Sequence, residues 1–185
     1  LHGTDITLVG KDASFEPVIT FSINQSDAVT TVSQSLKDDT HKFFKINKDI
    51  KVIPNFICLD DYAHKVTEHE KKQYAPNGEK ILMHISNFRK VKRVEDVLSV
   101  FNLVRKQIPA KLILVGDGPE RSNIETNCRH LEYCDDVIHL GKVRDTEKIL
   151  PLADLFLLTS ETESFGLAAL EAMAAKVPVI STNTG

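Results

Sequence analysis

The stretch that decides the fold is residues 155–181, which read LFLL, TSETESFG, LAALEAMAA and KVPVIS. The first run is short, apolar and free of charge, which is typical of a strand buried on both faces. After a polar loop, the Ala- and Leu-rich run predicts a helix over 166–175. The apolar run at 177–181 then predicts a second strand. Strand, loop, helix and strand in this order indicate a parallel βαβ unit.

The same alternation extends back through most of the chain. It predicts an α/β fold, a Rossmann-like doubly wound parallel sheet covered by helices on both faces. Ligands bind such sheets at the carboxyl ends of the strands, so the loops after residues 85, 115, 140 and 158 form the candidate site. The predicted strands are 28–32, 51–53, 81–85, 111–115 and 137–140, and the predicted helices are 15–23, 34–44, 93–107, 120–131 and 146–152.

Composition restricts the classes of partner. The 185 residues carry 23 Lys and Arg against 26 Asp and Glu, a net charge of −3, so we expect no nucleic-acid partner. No apolar run reaches the roughly 18 residues that a membrane span needs, so we expect no integral membrane protein. Cys58, Cys128 and Cys134 show no CxxC spacing, which favours free thiols in a cytoplasmic protein. The chain opens at Leu1 without a methionine, and we interpret it as an internal fragment of a longer protein.

Two acidic residues flank the start of the helix predicted over 166–175. Glu163 precedes it and Glu171 lies inside it, and carboxylates so placed can accept hydrogen bonds from sugar or ribose hydroxyls. The free N–H groups at the helix start favour a phosphate or a sugar hydroxyl, and Gly166 allows a ligand to approach the backbone. Two glutamates at this spacing are common by chance, so both can also be solvated surface acids.

Two further loops carry candidate ligand groups. Residues 86–93 hold the dense positive cluster of the chain, at a strand end and before a helix, where a diphosphate site is favoured over a merely solvated face. Gly116-Asp117-Gly118-Pro119 follows the next strand and can be a plain β-turn. It lacks the third glycine of a dinucleotide fingerprint, which argues against an NAD enzyme. No cluster of His, Cys and Asp has metal-ligand spacing.

The string from Glu163 to Ser181 resembles the glutamate-x7-glutamate signature of the retaining family 4 glycosyltransferases, which have the GT-B fold. The resemblance implies that Glu163 contacts the donor sugar and Glu171 the ribose. It also implies donor contacts near the base or ribose, and main-chain contacts after Glu163. The contacts near the base or ribose are assigned to Gly116, Gly118 and Pro119. The main-chain contacts are assigned to Ser164, Phe165, Gly166 and Leu167. Lys176 stands where the family usually has Gly, which concerns only local turn geometry.

The basic loop is similar to the family's Gly-Arg-Leu-x-x-x-Lys-Gly segment, whose Arg and Lys clamp the donor phosphates. Lys92 fits the Lys, whereas Asn87 occupies the Arg position, so the resemblance implies that Arg89 takes over that role. His2-Gly3 resembles the His-Gly segment that reaches the reacting sugar, which makes His2 a catalytic candidate together with Arg89, Lys92 and Glu163. Asn87 is assigned to donor binding.

Val52-Ile53-Pro54-Asn55 resembles the hinge between the two domains of the family. The resemblance predicts that residues 1–53 end the N-terminal acceptor-side domain. It predicts that 54–185 form most of the C-terminal nucleotide-sugar-binding domain, which is incomplete.

A finer resemblance is carried by residues 1–10, 86–93 and 160–166, which look like the subgroup that makes N-acetylglucosaminyl malate in bacillithiol biosynthesis. It implies UDP-N-acetylglucosamine as donor and L-malate as acceptor, with Thr4 binding the acceptor, and retention at the anomeric carbon without metal or other cofactor. The alternatives are a family member with another acceptor and a module that binds a nucleotide sugar without turnover. A monomer and a homo-oligomer both stay open.

Overall fold

The computed structural model describes residues 1–3, 6, 12, 14–129 and 133–184. The chain divides into two compact units. Within the described residues, unit 1 comprises residues up to Phe56 together with Glu163–Gly166, and unit 2 comprises Ile57–Thr162 and Leu167–Thr184. The division along the chain thus falls between Phe56 and Ile57, and the segment around Glu163 is grouped with the first unit.

The described residues of unit 1 include two helices and a parallel pair of strands. Val29 pairs with Ile50 and Thr31 with Val52. Ser33 caps the second helix, because its side-chain oxygen accepts a hydrogen bond from the Leu36 N–H at 3.2 Å. The elements are α1 (Glu16–Gln25), β1 (Val29–Thr31), α2 (Gln34–Phe43) and β2 (Ile50–Val52).

Unit 2 is built on a five-stranded parallel sheet in the order β5-β4-β3-β6-β7. The predicted doubly wound α/β class is therefore confirmed. Its strands are β3 (Lys80–Ser86), β4 (Ala110–Gly116), β5 (Val137–Gly141), β6 (Leu155–Leu158) and β7 (Val179–Ser181), and its helices are α3 (Glu68–Lys72), α4 (Val94–Arg105), α5 (Arg121–Arg129), α6 (Thr146–Ile149) and α7 (Leu167–Ala174).

Helices cover both faces of this sheet, which explains why its central strands are mostly apolar. Met83 and Ile113 point to the face covered by α7, where Ala172 is buried. Their neighbours Leu82 and Leu112 point to the opposite face, covered by α4 and α5. Since successive side chains of a strand alternate between faces, covering both faces favours apolar residues at successive positions, as at residues 81–83 and 112–115.

The strand order also bears on where a ligand is expected to bind. From β3 the chain moves outward through β4 to β5, and then crosses to β6 on the other side of β3. The reversal makes the carboxyl ends of β3 and β6 a topological switch point, where open α/β sheets bind ligands. The loops at these two ends are the basic loop, residues 86–93, and the loop that precedes α7.

The observed bounds of most elements differ from the predicted ones by one to three residues, and two of these differences have a clear local cause. The helix predicted over 146–152 stops at Ile149 and continues as a 3₁₀ turn, Leu150–Leu152, because Pro151 has no N–H to donate. The strand predicted from residue 177 begins only at Val179. Lys176 lies in the left-handed region, with φ 63°, and Val177 donates to the Ala172 carbonyl at 2.9 Å, which ends α7 in a Schellman motif.

In the described part of the chain no helix has the length and apolar character needed to cross a bilayer. Cys58, Cys128 and Cys134 are all free thiols, as the sequence predicted.

Candidate functional site

The loop after β4 packs directly on the backbone of the basic loop. Ser86 and Gly116 are paired at the ends of β3 and β4, so the two loops leave the sheet side by side. A Cβ on Gly116 would overlap the Ser86 carbonyl oxygen, and one on Gly118 would overlap that of Asn87. The Glu120 N–H donates to the Phe88 carbonyl at 2.9 Å. The two glycines are therefore needed to let this loop support the basic loop.

The basic loop itself has an unusual backbone. Phe88 and Arg93 are non-glycine residues with φ of 35° and 47°. Such conformations are costly for bulky side chains and persist where the surrounding structure fixes them, which is common at functional sites. Asn87 and Arg89 are exposed, whereas Lys92 is half-buried in the 3₁₀ turn that closes the loop.

The Arg89 side chain has mixed surroundings. It lines a cavity of about 310 Å³ with two other basic residues, Lys90 and Arg93, and Arg93 forms an ion pair of 2.6 Å with Asp96. The cavity also contains four carboxylates, from Glu95, Asp96, Glu120 and Glu161. Arg89 therefore shares the cavity with acidic side chains, and its own side chain is also exposed to solvent.

The loop after β6 holds the basic loop from the other side. The Thr159 hydroxyl donates to the Lys92 and Arg93 carbonyls, at 3.0 Å each. The Glu161 N–H donates to the Val91 carbonyl at 2.8 Å. These bonds tie the end of the basic loop to the second strand of the switch point, so its position is fixed by the tertiary structure of unit 2.

Glu171 lies half-buried on α7, with Tyr62 and Glu147 as its neighbours in the same unit. The 3₁₀ turn that carries Tyr62, Leu59–Tyr62, packs against α7 and α6. Burial raises the pKa of the Glu171 carboxyl, a hydrogen bond from the Tyr62 hydroxyl opposes this, and the charge of Glu147 raises it further. Burial and the Glu171 carboxylate in turn raise the pKa of Tyr62 to about 12. Glu171 is thus a partly desolvated acceptor with a fixed donor on one side.

Charged side chains also gather at the ends of β4 and β5. Arg121 bonds Glu125 at 2.7 Å and lies 3.7 Å from Asp117. The Nδ1 atom of His139 is buried without a hydrogen-bond partner among the described side chains, and burial lowers the pKa of this ring. This edge therefore offers both donors and acceptors next to the Gly116–Pro119 loop.

Of the remaining predicted site residues, Leu167 is the exposed first residue of α7 in unit 2, and the others belong to unit 1 or lie outside the described residues. A Cβ on Gly3 would lie 2.9 Å from the Cβ of Ser164, so the His2-Gly3 segment approaches Ser164 closely. Phe165 packs against the buried cluster around Ile6 and Leu36. Glu163 is half-buried. Thr4 lies outside the described residues.

Among the residues that the structure describes, no group of three or more His, Cys, Asp and Glu side chains is arranged to hold a metal ion. The expectation of a metal-free site stays a prediction.

Comparison with known proteins assigns the family. Residues 65–185 match the model of the family described as glycosyl transferases group 1. The chain belongs to this family. Over its whole length the chain is 50% identical to the N-acetyl-alpha-D-glucosaminyl L-malate synthase of Bacillus anthracis. An uncharacterized glycosyltransferase of Methanocaldococcus jannaschii is 31% identical over 89% of the chain. The matches cover 49% and 44% of these relatives, so the chain spans about half of their length.

Solved structures identify the fold of the chain. The structure of Anabaena HepE in complex with UDP and glucose superposes with a TM-score of 0.82 at 21% identity, covering 100% of this chain and 52% of that one. A mutant of Staphylococcus aureus TarM gives 0.75 at 26% identity, covering 92% and 33%. The predicted GT-B fold is therefore confirmed, with this chain forming part of it.

Sequence reasoning missed the residues that support the predicted ligand groups. Tyr62, Thr159 and His84 each contact a segment that is distant in the chain. A tyrosine in a linker, a threonine after a strand and a histidine inside a strand carry no distinctive local pattern. The one available signal was His84, a polar residue in an otherwise apolar strand.

Proposed function

We propose that the protein is a retaining glycosyltransferase that moves N-acetylglucosamine from UDP-N-acetylglucosamine to L-malate, and that this chain supplies its donor-binding side. The observation that carries the proposal is the 50% identity, over the whole chain, to the N-acetyl-alpha-D-glucosaminyl L-malate synthase of Bacillus anthracis. The arrangement of unit 2 supports the donor half of the proposal.

The basic loop is the proposed site of the donor diphosphate. It lies at the switch point of the sheet, and its backbone is held by the loops after β4 and β6. Lys92 and Arg89 would neutralise the charge that grows on UDP as the glycosidic bond breaks, with Asn87 also contacting the donor. Electrostatic stabilisation of the transition state by such preorganised charges is usually the largest single contribution to the rate enhancement of an enzyme.

Glu171 is the proposed ribose ligand. When the Glu171 carboxylate is ionised, it can accept further hydrogen bonds besides the one from Tyr62, and a pair of ribose hydroxyls can donate them. Gly116, Gly118 and Pro119 would border the nucleoside. Glu163 would accept from the sugar hydroxyls, the backbone from Ser164 to Leu167 would contact sugar and phosphate, and His2 would approach the reacting carbon.

In this scheme no carboxylate forms a bond to the sugar. The acceptor hydroxyl attacks the anomeric carbon on the face that UDP leaves, and its proton passes to the departing phosphate oxygen. This differs from retaining glycoside hydrolases, in which a second carboxyl group acts as nucleophile. No metal or other cofactor takes part.

The acceptor is the part of the proposal that rests on the relative alone, with Thr4 as its proposed contact. A second candidate is transfer to another acceptor. It is favoured by the similarity to the alpha-monoglucosyldiacylglycerol synthase of Streptococcus pneumoniae, which is 29% identical over 86% of this chain. A third candidate is a module that binds a nucleotide sugar without turnover.

The test uses the whole protein that contains this chain. UDP release is measured with UDP-N-acetylglucosamine, UDP-glucose and GDP-mannose as donors and with L-malate, D-malate and diacylglycerol as acceptors. We expect release with UDP-N-acetylglucosamine and L-malate, and a product whose anomeric coupling by NMR matches the donor. Release only with another acceptor would favour the second candidate, and tight UDP binding without release the third. A folded protein that binds no UDP-sugar would overturn all three.

A further inference from the structure

A fully buried histidine lies beneath the basic loop. His84, on β3, has no exposed surface, and its Nδ1 atom lies 2.9 Å from the Leu157 carbonyl of β6. Its Nε2 atom lies 2.8 Å from the Ser86 hydroxyl. Burying a polar ring is costly unless its nitrogens are hydrogen-bonded, and here both have partners across the two strands of the switch point.

The direction of these bonds follows from their partners. A carbonyl oxygen only accepts, so Nδ1 carries the proton. A buried ring is most stable uncharged, so Nε2 accepts the hydrogen of the Ser86 hydroxyl. The Ser86 oxygen accepts in turn from the Phe88 N–H at 3.3 Å. A chain of hydrogen bonds thus runs from the backbone of Phe88, through Ser86 and His84, to the backbone of Leu157.

Phe88 is the residue that this chain of bonds holds in place. It combines a positive φ of 35° with a side chain that is 1% exposed, a conformation that a bulky residue rarely adopts. Its ring lies nearly parallel to the His84 ring, at 23° and 6.3 Å between centroids. Ring packing and the Ser86 bond therefore act on the same residue, at the point where the loop turns toward Arg89 and Lys92.

We propose that His84 is a positioning residue for the donor diphosphate, acting through Ser86 and Phe88 to fix the backbone that presents Arg89 and Lys92. The inference rests on the proposed function, because it takes the basic loop to be the diphosphate site. It adds that the loop is aligned from within the sheet, by a side chain that touches no substrate.

Three variants test this role in the whole protein. Ser86→Ala removes one oxygen atom, His84→Phe keeps a ring but removes both nitrogens, and Ser86→Thr keeps the hydroxyl. We expect the first two to lower kcat on the order of tenfold to 100-fold with a smaller change in KM for UDP-N-acetylglucosamine, since misplaced phosphate contacts matter most as UDP departs. Ser86→Thr should restore most of kcat.

A matched control is Met83→Leu, which changes the adjacent fully buried residue on the opposite face of β3 and should leave kcat unchanged. Lys92→Ala distinguishes failure of the positioning role of His84 from failure of the proposed diphosphate site. If Lys92→Ala loses turnover while Ser86→Ala and His84→Phe keep more than half of kcat, the positioning role is wrong and the proposed function stands. If Lys92→Ala also keeps full turnover, the diphosphate site itself is wrong.

A spectroscopic readout does not depend on activity. Nitrogen-15 NMR of labelled histidine should show His84 as the neutral Nδ1–H tautomer, and Ser86→Ala should shift its Nε2 resonance. A neutral Nε2–H tautomer would contradict the proposal. If His84→Phe fails to fold, Ser86→Ala, which alters a single hydroxyl, decides the outcome.

Discussion

Gly118→Ala is the substitution whose consequence the structure specifies most closely. The backbone of Gly118 lies outside the left-handed region, so alanine can adopt its conformation. The added Cβ would nevertheless lie 2.8 Å from the Asn87 carbonyl carbon and 2.8 Å from the Phe88 oxygen, and would overlap the Asn87 oxygen. All of these atoms belong to backbone, which cannot rotate away as a flexible side chain can.

The magnitude follows from the distance that the loop must move. To restore ordinary contacts, the basic loop has to retreat by about 1 Å, and a misplacement of that size costs on the order of 100-fold in rate. A 100-fold loss corresponds to about 2.7 kcal/mol of transition-state stabilisation. Overpacking of this kind costs a further 1–3 kcal/mol or so in the free energy of unfolding.

The assay compares kcat/KM for UDP-N-acetylglucosamine and urea unfolding in two variants of the whole protein. Gly78→Ala is the matched control, because Gly78 has φ +81° but no atom within 4 Å of an added Cβ. It should lose roughly 1 kcal/mol of stability to backbone strain while kcat/KM stays unchanged. The reasoning is refuted if folded Gly118→Ala keeps more than half of the wild-type kcat/KM, or if Gly78→Ala loses as much.

Three further predictions concern a turn, a pH profile and a charge. Lys176→Gly should raise the free energy of unfolding by about 0.5–1 kcal/mol, because Lys176 occupies the left-handed C′ position of α7, and Lys176→Ala should show no gain in the same urea titration. Burial raises the pKa of Glu171, the hydrogen bond from Tyr62 opposes this shift, and the charge of Glu147 adds to it, so UDP affinity should fall as the pH drops through the raised pKa. Calorimetry should show this fall at a lower pH in Glu147→Gln and no such fall in Glu171→Gln. In Lys92→Ala the loss in kcat should exceed the loss in UDP affinity by a factor on the order of 10 or more. Equal losses in steady-state kinetics and in calorimetry would contradict a role of Lys92 in UDP departure.

Most elements of unit 2 were predictable because their signals are local. The strands of the sheet are short, largely apolar runs. This is the sequence pattern expected of parallel strands that are covered on both faces. The errors arose where a single residue ended an element. Pro151 interrupted a predicted helix, and Lys176 formed a left-handed turn for which its residue type gives no signal.

The candidate site was predictable in part for the same reason. Loops at the carboxyl ends of parallel strands meet at one edge, so the sequence could bring the basic loop and the Gly116–Pro119 loop together. It could not show that Gly116 and Gly118 are required by the backbone of the basic loop, nor that Tyr62 bonds Glu171. Both contacts depend on distances between segments that are remote in the chain.

The sequence by itself thus determined the fold class and the family and predicted the candidate ligand groups, because hydrophobic periodicity and motif spacing are properties of neighbouring residues. Only the tertiary structure decided what holds those groups in place. The strained conformation of Phe88, the buried His84 that links two strands and the partial desolvation of Glu171 each result from packing between distant segments. Their free energies depend on burial and geometry, which no local pattern of residues encodes.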